Sequence, residues 1–214
     1  MKKTLLMAAV ALGALPGSAL AQFQTYTPLW EITPMAGYRT YGSITNTDAA
    51  RYSELTFKSA FSWGAALGFS FSRNMDADVT FSYTSTDATA VGRVGNPDRT
   101  IGVKQYDTLF NAYYLFGDPG ASFRPYLGGG IGFTILSPDQ DLNSLTRFSF
   151  GLAGGVKWYF GEHIGLRFEA RWMPLYLYST AGGTWCDPVY GCYYYSNDHM
   201  LQQGDFKVGV IFRF

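Results

Sequence analysis

The chain has 214 residues, of which 47% are apolar, 18% aromatic and only 15% charged, and its 16 basic side chains balance its 16 acidic ones. Abundant aromatic residues without net charge exclude a disordered chain, and the lack of a basic excess argues against a nucleic-acid partner. A composition with 25 glycines and 16 tyrosines is wrong for a coiled coil or helical bundle, and past residue 21 no stretch approaches the ~20 apolar residues of a membrane-spanning helix.

Residues 1–21 read as a cleaved secretory signal peptide. Lys2 and Lys3 form a basic start, Thr4 to Leu15 an apolar run, and Ala19-Leu20-Ala21 a small-x-small cleavage pattern. Residues 22–214 are then one exported domain. Within it, apolar and polar residues alternate with the period of a strand that has one dry and one wet face. Eight such segments are expected, at 30–40, 60–71, 76–85, 104–116, 123–135, 146–160, 164–176 and 205–214. Pro34 and Pro125 are the weak points, because proline removes a ladder donor. The connections run long at 41–58, short at 72–75, long at 86–102 and short at 117–120. They continue long at 136–146, short at 161–163 and long at 177–200. That rhythm predicts an all-β fold: a closed, eight-stranded, antiparallel, up-and-down transmembrane barrel of a bacterial outer membrane. Short turns and both termini would be periplasmic, and four loops external.

Charges in these segments fall on the polar parity, which faces the lumen of such a barrel. Glu31, Arg39, Asp78, Asp107, Lys157, Arg167, Glu169, Arg171, Asp205 and Lys207 form the expected lumen network, and Asp76 and Arg213 share its parity. Lys104 alone lies on the apolar parity, at a strand end. Desolvated charges must pair, and eight strands leave an interior that side chains fill, so a plugged interior is expected rather than an open pore. Trp30, Trp63, Trp158, Trp172 and tyrosines near strand ends suit interfacial aromatic girdles.

Residues 123–133 read F-R-P-Y-L-G-G-G-I-G-F and the chain ends F-K-V-G-V-I-F-R-F. On both segments the chain resembles the OmpA-like small outer-membrane β-barrel family. Phe206, Val208, Val210, Phe212 and Phe214 resemble the C-terminal signal by which such proteins are recognised for insertion. The resemblance implies the barrel-insertion machinery and periplasmic chaperones as assembly partners. Unlike the family's two-domain members, no peptidoglycan-binding domain is expected after Phe214.

Some barrels of this size resemble lipid A deacylases or palmitoyltransferases, but the mature chain offers only His163 and His199, without a His-x-Ser pattern. No enzyme activity, cofactor or metal is therefore expected. Cys186 and Cys192 are expected to form a disulfide in an oxidising compartment. Trp185, Tyr190, Tyr193, Tyr194 and Tyr195 cluster around that pair as candidate anchors for an unknown external ligand. The expected role is a structural scaffold in contact with outer-membrane lipid and lipopolysaccharide. A narrow porin-like channel and adhesion through 177–200 are the alternatives.

Overall fold

A strand with alternating faces can shelter its polar face without leaving a free edge only if it pairs on both sides and the sheet curls shut. The computed structural model describes residues 29–45, 52–93, 95–139, 143–177, 186–187, 191–192 and 199–214. The signal-peptide reading of 1–21 lies outside them. Eight long strands form the wall: β1 Leu29–Tyr41, β2 Ala60–Ser72, β3 Met75–Gly92, β4 Arg99–Leu115, β5 Phe123–Pro138, β6 Leu145–Tyr159, β7 Ile164–Trp172 and β8 Gln203–Arg213. Each runs antiparallel to its neighbour in sequence, and β1 closes on β8 from Glu31↔Arg213 to Tyr41↔Gln203.

Short turns at Arg73–Asn74, 116–122 and 160–163 define one rim, here the turn rim. The longer connections define the loop rim. There Tyr52–Phe57 pairs with the far end of β3 and with Ile44–Thr45, and Leu175–Leu177 pairs with His199–Leu201.

Three expectations need correction. The 86–102 stretch is mostly strand: β3 continues to Gly92 and β4 starts at Arg99, pairing as far as Ala90↔Arg99. The reason is a change of polarity along the strands. In β3, Asp78, Thr80, Ser82 and Thr84 face inward while Phe81 and Tyr83 face outward. Farther along, Ala88 and Ala90 are buried inside and Asp87 is exposed outside. In β4, Ile101 and Val103 are buried inward before Gln105 and Asp107 take that face. Above this level the interior is an ordinary apolar core, in which Ile44, Leu55, Phe57, Leu136, Leu175 and Leu201 join the β3 and β4 residues.

The second correction concerns 164–176, which is not one strand. β7 stops at Trp172, Met173 keeps one backbone hydrogen bond to the Gln203 carbonyl, and strand pairing resumes at Leu175, beyond Pro174. Proline has no N–H for the ladder. The third is milder. Pro34 stays within β1 and keeps its partner Ala65 on β2, but the β8 ladder passes from Ile32↔Phe212 to Met35↔Gly209 without Thr33 or Pro34. Pro125 also stays in its strand, opposite Val156.

Candidate functional site: the lumen and its aromatic collars

Inward positions of all eight strands converge on a narrow space, and glycines make room for the larger side chains. Gly155 shows the need: a Cβ there would stand 2.7 Å from the Tyr126 hydroxyl. The polar side chains stack in three layers.

Nearest the turn rim, Lys157 Nζ donates to Glu31 Oε2 at 2.5 Å and to Asp76 Oδ2 at 2.6 Å. Arg213 and the Tyr159 hydroxyl donate to the other Glu31 oxygen at 2.6 and 2.8 Å. In the middle layer Arg167 holds Asp78 at 2.8 Å and Glu169 at 2.5 Å, with its Nε donating to Tyr126 Oη at 3.0 Å. Its guanidinium lies 5.0 Å from the Tyr113 ring centroid and 5.2 Å from that of Tyr126, within range of a cation–π contact. Arg171 completes the layer through Glu169, Asn111 and Tyr113. In the third layer Arg39 bridges Asp107 at 2.5 Å and Asp205 at 2.6 Å, and Lys207 reaches Asp205 at 2.8 Å. Ser82, Gln105 and Thr134 donate further hydrogen bonds to Asp107. The apolar core lies beyond this layer.

All ten expected lumen charges are therefore buried, and each makes at least one ion pair. Asp76 and Arg213 belong to the same network. Six acids meet six bases, some across the barrel, as Lys157 with Glu31 and Arg39 with Asp107, and some two residues apart on one strand, as Arg167 and Arg171 with Glu169 and Lys207 with Asp205. Burial of these charges is therefore compensated. Sequence reasoning named no tyrosine in the lumen network. Tyr113, Tyr126 and Tyr159 are not girdle residues but buried hydrogen-bonding members of the network. Their signal was parity, since they share a face with Asn111, Arg124 and Lys157. Arg124 was also missed; it is buried and donates to the Arg73 carbonyl at 2.8 Å.

The outer face carries two aromatic collars. Trp30 and Trp158 lie toward the turn rim, beside Phe69 and Phe160. Trp63 and Trp172 lie toward the loop rim, beside Tyr83 and Phe150. All four tryptophans are about half exposed. Along β1 the collars are marked by Trp30 and Tyr38, whose spacing in a strand tilted by 35–45° is about 20 Å. Phe206, Val208, Val210, Phe212 and Phe214 form one outward row on β8.

The remaining candidates do not assemble into a site. His163 lies at the turn rim and the short strand beginning at His199 at the loop rim. No group of three or more His, Cys, Asp or Glu side chains is placed to hold a metal ion among the described residues. Of Cys186 and Cys192 the backbone alone is described; the two are cross-strand partners in a two-residue ladder. Trp185, Tyr190, Tyr193, Tyr194 and Tyr195 lie outside the described residues.

Comparison with known proteins agrees with this architecture. Residues 7–214 match the family described as "Outer membrane protein beta-barrel domain". Outer membrane protein W of Vibrio cholerae is 33% identical over 96 residues, covering 42% of this chain and 42% of that protein. Outer membrane protein W of Escherichia coli is 30% identical over 113 residues, 44% of this chain and 53% of that protein. The chain spans about half the length of the curated relatives it matches. Among solved structures, the outer membrane protein OprG of Pseudomonas aeruginosa superposes with a TM-score of 0.59 at 12% identity, covering 86% of this chain and 95% of that one. Neisserial surface protein A gives 0.56 at 14% identity, covering 88% and 100%. At such identities the structural likeness concerns the fold alone.

Proposed function

Since the chain belongs to the outer membrane β-barrel domain family, we propose that it serves as a closed structural barrel, with loops outside and with the turn rim and both chain ends in the periplasm. The observation that carries the closed reading is the continuous filling of the lumen: three ion-paired layers followed by an apolar core. An ion crossing it would have to displace buried pairs and then enter hydrocarbon-like packing, both expensive.

The test is single-channel recording of refolded protein in a planar bilayer, with closure of the barrel checked by heat-modified gel mobility. Silence is expected. Steady openings that change in Arg39→Ala or Arg171→Ala would replace this reading with the narrow-channel one. A specific feature favours that second reading: Arg39 Nε, Ser62 Oγ, Thr84 Oγ1, Gln203 Nε2 and Asp205 Oδ1 are buried without hydrogen-bond partners near the third layer, where water would be at home.

The proposed orientation has its own check. Lys58, exposed at the loop rim, replaced by cysteine should react with a membrane-impermeant maleimide on intact cells. The signal peptide over 1–21 predicts a mature N-terminus at Gln22. The β8 row ending at Phe214 supports recognition by the insertion machinery and its chaperones. The barrel acts without catalysis in this reading, supported by the separation of the two histidines. The aromatic segment around Cys186 and Cys192 is a candidate ligand contact, to be tested by deleting 184–195 and measuring binding to surface molecules.

A further inference from the structure

The outward face of β2, β3 and β4 is not smooth. A groove of about 770 Å³ crosses it at the level of the loop-rim collar. Trp63, Tyr83 and Tyr106 are cross-strand partners and form a row of rings with centroids 5.5 and 5.1 Å apart. In the next row down, Phe81 stands between the small side chains of Ala65 and Thr108. The groove thus has an apolar floor and an aromatic wall.

Its upper end carries charge. Lys104 lines the groove one row above the rings, opposite Ser85. Among the described barrel strands it is the one lysine or arginine on the outward face. Its ammonium pairs with Asp139 at 2.7 Å, with both side chains nearly half exposed. A solvated pair of this kind adds little stability and gives way easily to a stronger anion. The polarity change in β3 and β4 occurs at this same level, so the cation stands where hydrocarbon meets water.

We propose that this groove seats an acyl chain of a phosphorylated glycolipid, the lipid A part of lipopolysaccharide, with a lipid phosphate taking Lys104 from Asp139. The charge complementarity is one-sided: an apolar channel below and a single displaceable cation at its head fit an amphiphile with an anionic head. The choice of glycolipid over phospholipid rests on the orientation proposed above, which puts the groove in the outer leaflet. Asp139 then opposes binding, because its carboxylate competes with the phosphate for the same ammonium.

The experiment is native mass spectrometry of the folded barrel in detergent, titrated with purified lipid A, with phosphatidylglycerol as competitor. Wild type should retain one lipid A. Lys104→Glu should weaken retention at least tenfold, and Asp139→Asn should tighten it. Ala65→Trp fills the floor without touching the charge, lies on the outward face, and should also weaken retention at least tenfold. Gel mobility confirms that each variant folds. Wild-type retention in both Lys104→Glu and Ala65→Trp would overturn the groove assignment. Equal displacement by phosphatidylglycerol would overturn the choice of glycolipid. Failure of the orientation is read separately, by the maleimide reaction at position 58, and is not confused with either.

Discussion

Replacing Lys157 by methionine gives the sharpest test of the paired lumen. Lys157 is 3% exposed and its ammonium joins two carboxylates from different strands, Glu31 and Asp76. Without it, Glu31 keeps Arg213 and Tyr159, but Asp76 loses its ion-pair partner while remaining 4% exposed. An orphaned buried charge of this kind costs about 3–5 kcal/mol, which lowers the folding equilibrium by roughly a hundred- to several-thousand-fold. Removing the orphan as well, in Lys157→Met/Asp76→Leu, leaves five acids facing five bases. Most of the loss should return, since apolar replacement of a whole buried pair is often neutral. Asp76→Leu alone leaves Lys157 bound to Glu31 and should cost less than Lys157→Met. The assay is urea unfolding of the barrel refolded in lipid vesicles, followed by tryptophan fluorescence and gel mobility, with the four proteins forming a double-mutant cycle. A cycle coupling under about 1 kcal/mol, against the 3–5 expected, would refute the claim that charge pairing holds the lumen together.

Other outcomes follow from the same geometry. Val210 faces outward midway along β8 between Phe206 and Phe214, so Val210→Arg should destabilise by about 2–4 kcal/mol in vesicle unfolding; no loss would mean that this position is not at mid-bilayer. Gly155→Val drives a side chain into the Phe168 carbonyl oxygen and the Tyr126 hydroxyl and should cost about 1–3 kcal/mol, read as a lower temperature for the gel-mobility shift; an unchanged midpoint would show that β6 and β7 are not packed so closely there. Cys186 and Cys192 should label with a thiol reagent only after reduction. Closing so short a ring contributes about 2 kcal/mol, so the reduced barrel should keep its folded mobility.

What was legible in the sequence was whatever obeyed one rule along a whole strand. In 60–71 and 206–214 apolar residues face lipid and small or charged ones face the lumen from end to end, and both segments are strands as expected. The charges were equally legible, because a lysine or arginine facing hydrocarbon is costly enough to be excluded. Legibility failed where the rule changed. Residues 86–92 and 99–103 alternate with the opposite polarity, so a search for an apolar outer face reads them as loop. Tyr113, Tyr126 and Tyr159 were left out of the expected lumen network because tyrosine suits both a collar and a polar interior, and only parity separates the two. The pairs across the barrel were beyond reach, since partners such as Glu31 and Lys157 are brought together by barrel closure rather than by the i, i+2 spacing that joins Arg167 and Arg171 to Glu169.

The change of polarity also bears on why the lumen is charged at all. A strand with two apolar faces in a bilayer would have no preference for which one turns inward, and a one-residue slip would cost little. Interior charges remove that ambiguity: slipping β1, β3, β4, β6, β7 or β8 by one residue would put an arginine, lysine or carboxylate into lipid and break its pair. β2, in contrast, carries no charge and takes its register from its neighbours. Above the collar the surroundings are water, and the same need for two unlike faces is met with the signs exchanged. Ala88 and Ile101 then go inside and Asp87 outside. In both regions the interior is whatever the surroundings are not, so the interior residues mark the boundary as clearly as the collar does. On the inward face of β4, Asp107 and Gln105 give way to Val103 and Ile101. The membrane surface therefore lies close to Lys104, between Gln105 and Val103 on the opposite face.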